Sequence, residues 1–226
     1  SREMVEAGRR DVGREAGVLG QEPVAGVDGV GARIIAERVE YLDENGKLVT
    51  VTMGSYGIGV ATGDVDNDGW VDVYRTRLGP NQLFHNNGDG TFADVSDQTG
   101  TSDPRWSVSA SFVDIDRDGW VDLYVANYIN HTVGEESPCF TRTGERDYCV
   151  PQRYTPVPDR LNRNRRDGTF VDVTAEAQVA RDYGPSLGVV TAEFDADGWA
   201  DIYVANDLDS NFLLLNDGGG VFIDGA

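Results

Sequence analysis

The chain reads Asp64-Val-Asp66-Asn-Asp68-Gly69-Trp70-Val-Asp72 at the first of three acidic loops, and each loop runs straight into a strand-like segment. The other copies are Asp114-Ile-Asp116-Arg-Asp118-Gly119-Trp120-Val-Asp122 and Glu193-Phe-Asp195-Ala-Asp197-Gly198-Trp199-Ala-Asp201. Each copy has carboxylates at loop positions 1, 3, 5 and 9, glycine at 6 and tryptophan at 7. Carboxylates this close repel one another unless a cation gathers them, and oxygen ligands around a sharp glycine turn suit calcium. The repetition predicts that metal binding belongs to the architecture.

The segment after each loop alternates apolar and polar residues, which is the period of a β-strand. An EF-hand loop would instead place a bidentate glutamate at position 12 and continue as a helix. Position 12 is Arg75, Val125 and Val204 in the three copies, so these loops are not EF-hands.

A second signature follows each loop at residues 81–92, 160–170 and 211–222. It consists of an apolar strand, a turn of Asn, Asp and Gly, and a strand with an aromatic residue, which is typical of a hairpin. A small apolar strand also precedes each loop. One unit therefore has about four strands in roughly 40–50 residues, the period of a propeller blade.

The second unit is longer than the others. Its loop and its hairpin phenylalanine, Asp114 and Phe170, lie 56 residues apart, against 28 and 29 in the first and third units. The difference predicts an insertion at about residues 128–158, which is too long for an ordinary connection. The insertion contains the chain's two cysteines, Cys139 and Cys149, and the lack of zinc-like spacing favours a local disulfide.

The insertion is also a local basic and aromatic region in an acidic chain. Arginine and tyrosine are favoured anchors of interfaces, so one interpretation is a partner-binding surface. The other is a disulfide-braced cap over the seam between blades. The candidate contact residues are Phe140, Arg142, Arg146, Tyr148, Arg153 and Tyr154.

The loop tryptophans and the histidines also have two interpretations each. Trp70, Trp120 and Trp199 would form either an aromatic platform for a partner or packing between neighbouring blades, and packing is favoured. His85 in a hairpin strand is interpreted as structural and His131 as a solvated loop residue.

The net charge of −20, from 39 acidic and 19 basic residues, disfavours binding to nucleic acid or to an anionic membrane surface. No apolar run is long enough to cross a bilayer. A disulfide together with calcium predicts an extracytoplasmic location, whether secreted, on the cell surface or periplasmic. Because the sequence begins at Ser1 without a charged and apolar leader, we expect a processed protein or an excerpt from a longer one.

Residues 1–53 fit the repeat less well. The stretch 10–18 is similar to the tail that follows the second hairpin at 171–179. Residues 32–42 and 47–51 predict a two-stranded ribbon around the Asn45-Gly46 turn.

The sequence of residues 63–74, followed by Asn-Asn-Gly-Asp-Gly-Thr-Phe at 86–92, resembles the FG-GAP/VCBS repeat, the calcium-binding blade of integrin α-chain propellers. Residues 122–128, the cysteine insertion and residues 158–161 resemble the cartilage acidic protein/ASPIC–UnbV family more closely. The resemblance covers about residues 54–226. It implies a propeller, usually of about seven blades, that acts in adhesion or as a scaffold.

By this resemblance, each loop supplies calcium ligands from four acidic side chains and the tryptophan carbonyl. They are Asp64, Asp66, Asp68, Trp70 and Asp72, then Asp114, Asp116, Asp118, Trp120 and Asp122, and finally Glu193, Asp195, Asp197, Trp199 and Asp201. Two features depart from the family: Glu193 replaces aspartate at position 1, and three loops are too few to close such a ring.

We therefore expect an all-β chain with an N-terminal segment at 1–53 and propeller blades at about 54–100, 101–180 and 181–226. The expected function is non-catalytic binding or scaffolding of a protein or glycan, stabilised by about three calcium ions. One alternative is an accessory subunit of a larger complex, since further blades or another subunit would cover the open edges. Another is a propeller-type polysaccharide hydrolase or lyase, although the chain has no catalytic motif that we recognise.

Overall fold

A computed structural model of the chain describes residues 33–35, 38–42, 48–52, 57–131, 138–180 and 184–225. The chain divides into two compact units, Ser1–Gly54 and Ser55–Ala226. The smaller unit contains one antiparallel sheet of three strands, β1 (Arg33–Ile35), β2 (Arg38–Leu42) and β3 (Leu48–Thr52). The first half of the predicted ribbon thus forms two strands instead of one. The tail-like stretch at 10–18 lies outside the described residues.

The larger unit is built from three antiparallel sheets of four strands, which we call blades 1, 2 and 3. Blade 1 consists of β4 (Gly57–Gly63), β5 (Asp72–Arg77), β6 (Gln82–Asn86) and β7 (Phe92–Asp94). Blade 2 consists of β8 (Ser107–Val113), β9 (Asp122–Asn127), β12 (Arg160–Asn164) and β13 (Phe170–Asp172). Blade 3 consists of β14 (Ser186–Ala192), β15 (Asp201–Asn206), β16 (Phe212–Asn216) and β17 (Phe222–Asp224).

Helix is almost absent from the described residues: it is limited to α1 (Ser96–Thr99) and a 3-10 turn at Pro151–Arg153. None of the described helices has the length and apolar character required to span a bilayer. The first strands of neighbouring blades lie side by side, with β8 packed between β4 and β14. The all-β, propeller-type fold predicted from the repeat is confirmed.

The hydrophobic core lies between the blades. Tyr74 and Leu83 of blade 1 are fully buried against Leu123, Val125 and Phe170 of blade 2. The next junction repeats this arrangement, and its buried residues are Tyr124 and Leu161 of blade 2 with Ile202, Val204 and Phe222 of blade 3. Each such side chain stabilises the fold by about 1.5–3 kcal/mol when fully buried. One blade therefore covers the apolar face of the next.

The insertion in blade 2 begins and ends on paired backbone. Asn130 donates its backbone N–H to the Thr155 carbonyl (2.8 Å), and Ile129 forms a β-bridge with Pro156. Its outer part is a short hairpin of β10 (Cys139–Phe140) and β11 (Arg146–Asp147). The disulfide between Cys139 and Cys149 is present, as predicted. Residues 132–137 of the insertion lie outside the described residues.

Buried polar groups join the blades at the end opposite the acidic loops. Asp159 of blade 2 accepts hydrogen bonds from the Asn127 backbone N–H (2.7 Å), the Tyr124 hydroxyl (2.8 Å) and the Ser186 hydroxyl of blade 3 (3.0 Å). Asn81 holds the equivalent place in blade 1, where its side-chain N–H donates to the Ser107 hydroxyl of blade 2 (2.7 Å). Each junction thus has an apolar centre and a hydrogen-bonded end.

Burial raises the pKa of Asp159 to about 6, whereas the pKa of an aspartate in the unfolded chain is about 3.9. The folded state therefore binds this proton more tightly, and the stability that the proton contributes is lost as the pH rises from about 4 to about 6. We expect the Asp159→Asn variant to lack this loss. The free energy of unfolding of the wild type should fall relative to the variant by up to about 3 kcal/mol across that range.

Urea unfolding at several pH values measures this difference. Parallel pH dependence in the two proteins would contradict the prediction.

Candidate metal centres in the acidic loops

The acidic side chain at position 1 shapes each loop by accepting backbone hydrogen bonds. In the first loop, Asp64 accepts from Asp68 N–H (3.1 Å) and from Gly69 N–H (2.9 Å). Asp114 does the same in the second loop at 3.1 and 3.0 Å. The glycine at position 6 has a positive φ in all three loops, 92° at Gly69, which favours a residue without a side chain. The repeated glycine is therefore a requirement of the turn.

The third loop differs at this position. Glu193 accepts from the backbone N–H of Ala196 at loop position 4, whereas Asp64 and Asp114 accept from positions 5 and 6. The longer side chain thus braces a different part of the loop, in agreement with its departure from the repeat pattern.

The carboxylate at position 9 is buried in every blade, and its hydrogen bonds join the acidic loop and the hairpin to the second strand. Asp72 accepts from Val65 N–H in the loop (3.0 Å) and from Asn86 N–H in the hairpin (2.8 Å). Asp122 and Asp201 make the same pair of bonds in blades 2 and 3. Burial raises the pKa of Asp122 to about 7, because the charged form loses its hydration. A bound cation would stabilise that charged form.

Ligand atoms converge in all three loops. Three carboxylate oxygens lie within 4.8 Å of one another in each of the sets Asp64, Asp66 and Asp72; Asp114, Asp116 and Asp122; and Glu193, Asp195 and Asp197. One oxygen of Asp116 is buried and has no hydrogen-bond partner among the described residues. A buried carboxylate oxygen without a donor is costly unless a cation binds it. The donor sets therefore fit a hard divalent cation such as calcium.

The structure brings most, but not all, of the predicted acidic ligands together. Asp201 is outside the third set, which uses Glu193, Asp195 and Asp197 instead. In the second loop, Asp118 is bound by Arg166 of the hairpin, whose Nε lies 2.7 Å from a carboxylate oxygen. In the first loop, Asp68 belongs to a further group with Asp66 and His85. The three loops thus share the same backbone hydrogen bonds to the position-9 carboxylate and differ in the side chains that surround the candidate metal site.

His85 is a site residue that the sequence analysis did not identify. Its Nδ1 lies 3.2 Å from an Asp72 oxygen and 3.4 Å from an Asp66 oxygen, so the imidazole lies beside the first acidic loop. The equivalent residues are Arg163 and Leu215, one position before the asparagine that donates to the position-9 carboxylate. That fixed spacing is the signal that would have placed His85 at the loop.

The loops also contact the neighbouring blade. The Asn67 side chain donates to the Gly119 carbonyl of the second loop (3.0 Å), and the Arg117 guanidinium lies 4.2 Å from the Trp199 ring centroid in the third. The residue at position 4 of one loop therefore reaches the next loop along the chain.

Hairpin asparagines complete the same junctions from the other side. The Asn164 side chain in blade 2 donates to the Val65 carbonyl in the first loop (2.7 Å) and to Val121 in its own blade (3.2 Å). The Asn216 side chain in blade 3 donates to the Ile115 carbonyl in the second loop (2.8 Å). Each acidic loop with a following blade is thus held by that blade.

Two of the loop tryptophans, Trp70 and Trp199, pack on their own blades. A side-chain carbon on Gly88 would lie 2.6 Å from Trp70 Nε1, and one on Gly218 would lie 2.8 Å from Trp199 Nε1. These indoles therefore cover the glycine turn of their own hairpin. Trp70 still exposes 51 % of its surface, and Trp199 also contacts Arg117 of the preceding blade.

The candidate contact residues of the insertion divide into two groups. The hairpin and its flanks carry Phe140 and Tyr148, exposed by 61 % and 96 %, together with three exposed arginines at 142, 146 and 153. Tyr154 is half-buried instead, and its ring lies 5.6 Å from that of His131. His131 in turn contacts Trp106, so it belongs to an aromatic cluster at the base of the insertion.

Comparison with known proteins gives a match to a known repeat family for the part of the chain that contains the first two loops. Residues 64–125 match the FG-GAP-like repeat, which supports the FG-GAP/VCBS repeat family for this part of the chain. None of the curated proteins is similar in sequence to the chain.

One similar solved structure is a lectin of Agrocybe aegerita, described for its specific recognition of non-reducing terminal N-acetylglucosamine. It is 16 % identical, with a TM-score of 0.25 over 83 % of this chain and 59 % of the lectin. The chain therefore spans less than two thirds of the lectin's length, and this low structural similarity supports no functional argument.

Replacing Asn164 by alanine should destabilise the junction between blades 1 and 2, because it leaves the Val65 and Val121 carbonyls without their donor. We expect a loss of about 2 kcal/mol or more in the free energy of unfolding. The matched control is Asn86→Ala, since Asn86 donates its side-chain N–H to Val71 of its own blade. Chemical denaturation of both variants measures the difference, and equal losses would contradict the junction role of Asn164.

Proposed function

We propose that this chain is a calcium-stabilised, propeller-type module that binds a protein or glycan partner, or scaffolds a complex, outside the cytoplasm and without catalysis. The observation that carries the proposal is the position of the acidic loops. The first and second loops each gather carboxylates at their own strand and contact the following blade. A cation in such a loop would brace both the entry to the strand and the junction between the blades.

Calcium is the cation that these loops suit best. Calcium accepts six to eight oxygen ligands in flexible geometry, whereas magnesium demands a near-ideal octahedron. The loops offer carboxylates from alternate positions, and the third loop differs from the other two, because Glu193 replaces aspartate and accepts a different backbone N–H. Such variation favours an ion that tolerates irregular coordination, and three loops would hold about three ions.

The loop carboxylates accept hydrogen bonds from the backbone, which favours a structural role over a catalytic one. A general acid near neutral pH requires an apolar pocket that reaches the substrate. Asp122 has a strongly raised pKa, but both of its carboxylate oxygens accept hydrogen bonds from backbone N–H groups. The propeller-type polysaccharide hydrolase or lyase remains the catalytic alternative, and activity screens on polysaccharides with and without the insertion would distinguish it.

The insertion is the proposed contact surface for a partner. It extends arginine, tyrosine and phenylalanine side chains from a disulfide-linked hairpin, and these residue types are favoured at the centres of interfaces. Its resemblance to the cartilage acidic protein/ASPIC–UnbV family belongs to the same proposal. The disulfide supports an oxidising, extracytoplasmic location.

Removing calcium should lower the melting temperature. Native mass spectrometry in calcium should count about three bound ions, and EDTA should lower the melting temperature by about 5 °C or more. Asp116→Asn should lower the bound-ion count by one, whereas the exposed Asp97→Asn serves as the control that keeps all ions. An unchanged melting temperature in EDTA would contradict a stabilising role of the metal.

Removing two anchors of the insertion should weaken partner binding without loss of stability. We expect the Arg146→Ala/Tyr148→Ala protein to bind its glycans on an array at least about tenfold more weakly than the wild type, with the same melting temperature. Thr143→Ala in the same hairpin is the control. Wild-type binding that the double substitution leaves intact would place the contact surface elsewhere.

A further inference from the structure

We propose that the first acidic loop, together with His85 of strand β6, binds a transition-metal ion of the zinc class. We call the three side chains that would hold it, Asp66, Asp68 and His85, the imidazole site. The inference concerns an ion other than the calcium of the proposed function, and its test does not depend on calcium binding. It rests on which atoms of these side chains are used in hydrogen bonds and which face one another.

The two carboxylates beside Nδ1 orient the His85 ring. Nδ1 lies 3.2 Å from an oxygen of the buried Asp72 and 3.4 Å from an oxygen of Asp66. Ionised carboxylates only accept hydrogen bonds, so these contacts place the hydrogen of the neutral imidazole on Nδ1 and leave a lone pair on Nε2. A carboxylate that accepts from one ring nitrogen is the usual partner of a histidine whose other nitrogen binds a metal.

The second ring nitrogen faces another carboxylate across a gap. Nε2 of His85 lies 4.0 Å from an oxygen of Asp68, which is beyond hydrogen-bonding distance. Two atoms that both carry lone pairs repel each other at this separation unless a cation lies between them. The gap between imidazole nitrogen and carboxylate oxygen is the observation that points to a bound ion.

Each carboxylate of the imidazole site uses one oxygen to hold the loop and turns the other towards His85. Asp66 Oδ1 accepts the Asp68 backbone N–H (3.3 Å), and Asp68 Oδ1 accepts the Trp70 backbone N–H (2.8 Å). The Oδ2 atoms of both residues face the imidazole. One ring nitrogen and one oxygen from each carboxylate lie within 4.8 Å of one another. The backbone therefore positions three converging ligands without consuming them.

The mixed set of ligands decides the class of ion. Imidazole nitrogen suits zinc, copper, nickel and iron, whereas calcium and magnesium take oxygen ligands. Zinc binds three protein side chains with water as its fourth ligand, and ligand atoms about 2.1 Å from the ion then lie about 3.4 Å apart. A small movement of the exposed Asp68 side chain would close the 4.0 Å gap to His85. The side chain of Asp68 exposes 36 % of its surface, so water can reach the site.

The other two blades have no imidazole at this position and provide a comparison within the chain. The equivalents of His85 are Arg163 in blade 2 and Leu215 in blade 3. A guanidinium has no lone pair for a metal, and leucine has no polar side-chain atom. The acidic residues that the three loops share are therefore not sufficient for the imidazole site, which belongs to the first loop.

The test is a titration of the full chain with cobalt(II), a visible and paramagnetic substitute for zinc, without added calcium. We expect one cobalt ion per chain to bind more tightly than any other and to broaden the ring resonances of His85 in NMR spectra. His85→Gln keeps a donor for Asp72 but removes the imidazole, and it should weaken this binding by about tenfold or more. His131→Gln removes the chain's other histidine and is the matched control, with the affinity of the wild type.

A second variant tests the carboxylate side of the site. Asp68→Asn keeps an oxygen for the Trp70 N–H but loses the charge, and it should weaken cobalt binding as His85→Gln does, with circular dichroism as the check that both variants are folded. A protonated His85 that only pairs with carboxylates would bind no cobalt, and unselective binding to the acidic loops would be equal in the wild type and in His85→Gln. Either result overturns the proposal. Cobalt binding that depends on His85 upholds it even if EDTA leaves the melting temperature unchanged, a result that contradicts only the calcium role.

Discussion

The rest of the structure depends on the two hydrogen bonds that the buried carboxylate at position 9 of each loop accepts. Asp72, Asp122 and Asp201 each accept one hydrogen bond from the acidic loop and one from the hairpin of the same blade. The bond to the loop sets where the second strand begins, and the bond to the hairpin sets the register of the third. Loop, strand and hairpin are therefore joined into one unit, and this unit is repeated in all three blades.

The blades were predictable from the sequence because the patterns that mark their loops, strands and turns are local. The alternation after each loop, as in Val71 and Val73, is a short-range pattern that requires no knowledge of distant segments. The asparagine and glycine turns of the hairpins, and the disulfide between Cys139 and Cys149, are local for the same reason. The acidic loops were identified as candidate metal centres on their spacing, and the convergence of their oxygens agrees with it.

The contacts between blades were not predictable, because they join residues far apart in the chain. The bond from Asn164 to the Val65 carbonyl spans 99 residues, and that from Asn216 to Ile115 spans 101. The position of His85 beside Asp66 and Asp72 depends on the pairing of β5 with β6, and its fixed spacing before Asn86 becomes a signal only once that pairing is known. The tryptophans likewise needed coordinates, since packing on Gly88 or Gly218 depends on the exact turn.

A comparison of the three loops shows that the hydrogen bonds of the position-9 carboxylate, which we call the frame of the blade, are independent of the set of metal ligands. The third loop has Glu193 in place of aspartate and a different convergent set of carboxylates, yet Asp201 makes the same two backbone bonds as Asp72 and Asp122. Asn216 also keeps its bond to the preceding loop. The hydrogen-bonded frame therefore persists where the ligand set changes. A cation adds stability to this frame by neutralising its carboxylates, and each loop can differ in affinity without altering the blade.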